Sequence, residues 1–110
     1  MSNKIKFNRR DCPKPTVDVT GLIALRSPIT FTVKAGVTYP LNLGISADRA
    51  LLLVGPNSYV RILGDDSVVA ANQNIRFVLK NVSIVDDFVV GLGDTVARAH
   101  VLGSEDTEVE

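Results

Sequence analysis

The chain has 110 residues, of which 45% are hydrophobic and only 5% aromatic, with no tryptophan, so it is sized for one domain with an aliphatic core that needs neither metal nor disulfide to fold. Lys plus Arg and Asp plus Glu balance at 12 each, which leaves no overall field to draw in nucleic acid or an acidic substrate. One cysteine excludes an intrachain disulfide, and one histidine excludes both a histidine metal triad and a two-histidine acid/base pair within the chain.

Residues 1–15 are polar and basic, with Lys4, Lys6, Arg9, Arg10 and Lys14 against Asp11. Pro13 and Pro15 favour extended backbone, so this segment is expected to be a lead-in outside the core. It has no apolar run of about 7 residues that would mark a secretory signal, nor does the chain contain the ~18 apolar residues of a membrane span. The expectation is an intracellular protein with no membrane contact, for which the Asn81-Val82-Ser83 glycosylation pattern is accidental.

From Thr16 the pattern changes to short apolar alternations. Val17, Val19, then Leu22, Ile23 and Leu25, interrupted at Gly21, predict a strand with a bulge or bend. Ile29, Phe31 and Val33 alternate with Thr30, Thr32 and Lys34 as in a half-buried strand, and Ala35-Gly36 turns the chain. Val37, Tyr39, Leu41 and Leu43 continue the period of two, and Pro40 on the outward phase predicts an edge or an interruption. Residues 44–49 read as a connection. The apolar run Ala50 to Val54 reads as a strand buried on both faces, and Gly55-Pro56-Asn57-Ser58 as a turn. Tyr59 to Leu63 and Val68 to Ala71 are short strands around a Gly64–Ser67 turn.

The most regular stretch runs from Asn74 to Leu102: two longer strands, with a short one at Phe88-Val89-Val90, joined by Asp86-Asp87 and Gly91-Leu92-Gly93-Asp94 turns. No period near 3.6 persists anywhere. The prediction is an all-β fold, a single antiparallel β-barrel or sandwich of about seven to nine short strands over residues 16–103, followed by an acidic segment at 104–110.

No catalytic, cofactor-binding or metal site is expected. His100 shares a strand phase with Arg98 and reads as a surface or subunit-contact residue. Asp65-Asp66 and Asp86-Asp87 are neighbours whose side chains diverge on extended backbone, so they read as turn formers rather than paired carboxylates. Calcium loop spacing is lacking. Cys12 has no local histidine, and Ser58 is not in a Gly-x-Ser-x-Gly elbow. The basic cluster at the N-terminus has Phe7 but no aromatic array, which argues against tight nucleic-acid binding.

Several segments resemble the dUTPase family. Thr32-Val33-Lys34-Ala35-Gly36 ahead of Leu43-Gly44-Ile45 is similar to that family's strand, glycine turn and strand. Ile75 to Asn81 resembles its alternating strand ending in Asn, and Gly93-Asp94-Thr95-Val96-Ala97-Arg98 its Gly-Asp-Arg-Ile-Ala-Gln turn. The resemblance implies the β-clip fold, and the departures from it imply that the activity is lost. Pro56-Asn57-Ser58-Tyr59 lacks the arginine of the phosphate-binding Pro-Arg-Ser-Ser, alignment on Asn81 puts Val68 and Ala71 where the family carries its catalytic Asp and stacking Tyr, and the glycine-rich closing arm is replaced by Ser104 to Glu108. As a whole the chain resembles the baculovirus telokin-like family of β-clip proteins. That resemblance implies a non-catalytic viral protein of the infected cell, acting through an unidentified protein partner or as a homo-oligomer, whose acidic end continues into a charged tail. A nucleotide-binding or hydrolysing dUTPase relative and a virion decoration protein are the alternatives.

Overall fold

A computed structural model describes residues 4–8, 12–102 and 108–109. Over these residues the chain is all-β. The strands are β1 (Lys4–Ile5), β2 (Phe7–Asn8), β3 (Thr16–Val17), β4 (Ile23–Arg26), β5 (Phe31–Val33), β6 (Thr38–Ala47), β7 (Leu51–Val54), β8 (Val60–Ile62), β9 (Val68–Val69), β10 (Asn74–Asn81), β11 (Phe88–Val90), β12 (Thr95–Val101) and β13 (Glu108–Val109). Eight of them are three residues or longer, in line with the sequence reading, and the rest are two-residue pairings.

Two sheets face each other across one aliphatic core. One has the order β2-β6-β10-β8 and the other β3-β4-β12-β7-β9, both antiparallel. Period-two alternation places Leu41, Leu43 and Ile45 of β6 and Ile75, Phe77 and Leu79 of β10 inside, against Ile23 and Leu25 of β4, Leu51 and Leu53 of β7 and Ala97 and Ala99 of β12. Each large aliphatic side chain buried there contributes about 1.5–3 kcal/mol. The small sheet β11-β5 closes one side, held by stacking of Phe31 on Tyr39 at 4.4 Å and by an edge contact of Tyr59 with Phe88 at 6.3 Å.

Several sequence expectations change in the structure. Val17 and Ile23 do not share one bent strand: β3 and β4 form a hairpin, with Asp18 accepting the Thr20 and Leu22 N–H groups, Gly21 at φ +82° and Val19 wholly exposed at its tip. Residues 44–47 are not a connection, because β6 runs on to Ala47. Gly44, at φ +69°, forms a bulge in which Leu43, Gly44 and Ile45 oppose the single residue Ile75, so both Leu43 and Ile45 reach the core. Strand β7 is buried on one face only, with Leu52 and Val54 half-buried on the other.

Pro40 is accommodated in a strand that is paired on both sides at its far end. Its partner Val78 accepts from the Leu63 N–H across β8, so the polar groups of Val78 point away from β6, and Pro40 faces it without needing an N–H. The lead-in also differs from expectation. Ile5 and Cys12 are buried, β2 pairs with the end of β6, and β1 pairs parallel with β13.

Candidate functional site

The residues singled out by sequence are dispersed over the molecule and do not converge. His100 is exposed on the outer face of the five-stranded sheet, opposite Leu52, and Leu52 is in turn opposite Val68. Beside it on β12, Arg98 donates from Nε to Asp18 at 2.9 Å and from Nη2 to the Thr20 hydroxyl. The Thr20 hydroxyl first, and then the backbone N–H of Thr20, the Arg98 guanidinium and the Leu22 N–H, hold the Asp18 carboxyl down at about 2, with burial opposing them. This cluster fixes the β3–β4 hairpin onto β12. Its acid is spent on structural hydrogen bonds.

Cys12 is buried and its thiol donates to the Arg26 carbonyl at 3.2 Å. The side chains of Asp65 and Asp66 lie outside the described residues, as do Arg9, Arg10 and residues 103–107. Asp86 and Asp87 are exposed turn residues, and Asp87 accepts the Ala35 N–H at 3.0 Å across to the turn after β5. Ser58 is exposed in a turn organised by Asn57, whose Oδ1 accepts from the Tyr59 and Val60 N–H groups. Asn81 is fully buried: its amide donates to the Val33 and Asp86 carbonyls and accepts from Ser83 N–H. It is a structural clamp and sterically closed to glycosylation. Asp94 accepts the Gly91 N–H, and the backbone of Ser27 exchanges hydrogen bonds with Gly93 and Asp94, so that turn too has a structural role.

The connection from β9 in one sheet to β10 in the other carries the positions that matter for a dUTPase resemblance. Val68 is exposed at 55% on β9, and Ala71 is exposed in the turn. Asn72 adopts φ +64°, a conformation Asn tolerates, and donates its N–H to the Ala47 carbonyl. Next to this turn lies an open polar cleft of about 380 Å³ lined by Asn8, Gly44, Ser46, Asn72 and Asn74. A second depression of about 330 Å³ shares Asn8, Ser46 and Asn72 and extends to Lys6 and Asp48. Amides and a hydroxyl suit the cleft to neutral hydrogen-bonding groups. Among the described residues no group of three or more His, Cys, Asp or Glu side chains converges as a metal site.

The sequence reading missed the face opposite His100. On the outer side of β6, β8 and β10 stand Arg61, Arg76, Lys80, Asn42 and Asn74, all exposed. The alternation of β10 already put Arg76 and Lys80 on one phase. Only the strand pairing adds Arg61 and Asn42 to them.

The chain matches no protein-family model and no curated protein. Solved structures do match. The native dUTPase of EIAV superposes with a TM-score of 0.70 at 12% identity, covering 92% of this chain and 89% of its own. The fold is that of the dUTPases. The Staphylococcus bacteriophage 80alpha dUTPase with dUPNHPP superposes at 0.71 and 11% identity, covering 99% of this chain and 88% of the phage chain. The Y84I mutant of the same phage enzyme, described as controlling transfer of virulence genes by a proto-oncogenic G protein-like mechanism, gives 0.70 at 10% identity over 92% and 90%. At these identities the likeness extends to the dUTPase-like β-clip architecture and no further.

Proposed function

We propose that this chain is a non-catalytic protein of dUTPase-like fold that acts through protein contacts, as the resemblance to the baculovirus telokin-like family implies, and that one of those contacts is with its own copies. The observation that carries the reading is the surface around Val68. Where the dUTPase resemblance calls for a catalytic carboxylate, this chain displays an exposed valine, in register with half-buried Leu52 and then His100 on a single sheet face. Hydrolysis of a nucleoside triphosphate needs a base to activate water and cations against the phosphates. Valine supplies neither, whereas an apolar strip rimmed by His100 and the Arg98–Asp18 pair has the make-up of a contact surface.

Light scattering over a concentration series tests this. The expected result is a mass that is a multiple of 11.8 kDa, falling to the monomer in Val68→Asp and Leu52→Lys variants that keep the wild-type circular dichroism spectrum. A strict monomer at all concentrations would remove self-association from the proposal.

A nucleotide-binding relative is the second reading. It is favoured by the polar cleft beside the Asn72 turn, since amide groups there suit the edge of a base.

A further inference from the structure

The charge of this protein is balanced in total but sorted by the fold. The outward positions of the four-stranded sheet are Asn8 on β2; Thr38, Pro40, Asn42, Gly44 and Ser46 on β6; Asn74, Arg76, Val78 and Lys80 on β10; and Arg61 on β8. Three are cationic and none is acidic. Strand pairing sets Arg61 directly opposite Lys80, with Cβ atoms about 5 Å apart. Arg76 follows on the same side of β10, four residues and therefore about 13 Å away. None of the three makes an ion pair among the described residues. Asp48, just beyond the end of β6, accepts the backbone N–H of Lys6.

Between and beyond the cations the face is neutral, but it is not featureless. A shallow depression of about 420 Å³ is lined by Pro40, Asn42, Arg76 and Val78, joining an apolar floor to a cation and an amide. Asn74 donates from Nδ2 to Asn42 Oδ1 at 2.9 Å, and that oxygen also accepts the Gly44 N–H. The Asn42 amide N–H groups and the Asn74 amide oxygen therefore remain, on two exposed residues, as a donor and an acceptor side by side. A ligand that uses this whole face carries negative charges at intervals along a backbone, and between them flat groups with paired donor and acceptor edges.

We propose that the outer face of β6, β8 and β10 binds single-stranded nucleic acid. Arg61, Lys80 and Arg76 take backbone phosphates, the Pro40–Val78 floor takes a sugar or base edge, and the Asn42–Asn74 amide pair hydrogen-bonds a base. An acidic peptide would use the cations but leave the amide pair and apolar floor idle. No aromatic ring stands on this face to stack bases, so binding is weak and governed by phosphate contacts. This face lies on the opposite side of the molecule from Val68 and His100, and its occupancy is independent of the protein contact proposed there.

Fluorescence anisotropy of a labelled oligothymidylate of about 15 nucleotides, within the span one small domain covers, is the test. The expected result is saturable binding at low salt, with log K falling against log salt at a slope of about −2, as three phosphate contacts on a single strand give. Replacing Arg61, Arg76 and Lys80 together by Gln weakens binding at least tenfold and flattens that slope. The pair Lys6→Gln and Lys14→Gln leaves both unchanged. Should the triple variant lose its circular dichroism spectrum, Arg76→Gln alone is expected to lower the slope by about one contact, and Asn42→Ala to weaken binding without altering the slope. Absence of binding at low salt, wild-type affinity in the Arg61, Arg76 and Lys80 variant, loss of binding in the Lys6 and Lys14 variant, or equal binding of labelled polyglutamate would each overturn the proposal.

Discussion

Asn81 and Asp18 show how single polar side chains hold this fold. The Asn81 amide is buried and spans three backbone groups, those of Val33, Ser83 and Asp86, tying the end of β10 to β5 and to the loop that leads into β11. Asn81→Ala leaves these groups unpartnered, and its expected cost is about 2–3 kcal/mol, read as a shift in the urea midpoint. Asp18 is tied instead to pH. Its carboxyl titrates at about 2 in the folded chain against an ordinary 3.8, so its ionised form stabilises the hairpin fully above about pH 4 and that contribution is lost as pH falls through 2. The gap in melting temperature between the wild type and Asp18→Asn is therefore expected to be widest at neutral pH and to close between pH 4 and 2. A gap that stays constant over that range would show that the carboxylate charge is immaterial there. Neither role was legible in the sequence. Asn81 matched a glycosylation pattern and Asp18 sat in what read as a bent strand, because both roles depend on partners brought close only by folding.

At the scale of elements, alternation located the strands and glycine misled about their ends. The run Ile75, Phe77, Leu79 reads directly as the inward side of β10, and the Asn74–Leu102 stretch has the long, short, long strand order expected of it. Gly44 looked like the start of a connection, yet it is a bulge within the ten-residue β6. Sequence alone cannot separate these two uses of glycine, since both exploit positive φ. Gly44 and Gly55 make a contrasting pair. A Cβ at Gly44 meets nothing within 4 Å, so Gly44→Ala is expected to cost only the left-handed backbone, about 1–2 kcal/mol. A Cβ at Gly55 would lie 2.1 Å from the Val60 carbonyl oxygen, a rigid backbone atom, and Gly55→Ala is expected to be the more damaging in chemical denaturation. Equal midpoints for the two variants would contradict this account of the β7–β8 turn. The burial of the lead-in is hidden in the sequence for a related reason: Ile5 and Phe7 are isolated apolar residues in a basic run, and only the pairing of β1 with β13 and of β2 with β6 carries them against the core.

At the scale of the molecule, the superpositions establish a dUTPase-like scaffold, and the proposed function concerns the residues that scaffold carries. The fold class was legible because many short alternating strands admit few architectures. The sorting of charge was not, since Arg61 and Lys80 are 19 positions apart in the chain and neighbours only through the β8–β10 pairing. The central claim is that the scaffold persists without the hydrolysis, with Val68 and Ala71 at the places of an acid and a stacking ring. Titration of dUTP with magnesium into the protein, followed by calorimetry and by assay of released pyrophosphate, tests this most directly. No saturable heat and no pyrophosphate above the protein-free control are expected; saturable binding accompanied by pyrophosphate release would overturn the proposed loss of hydrolysis.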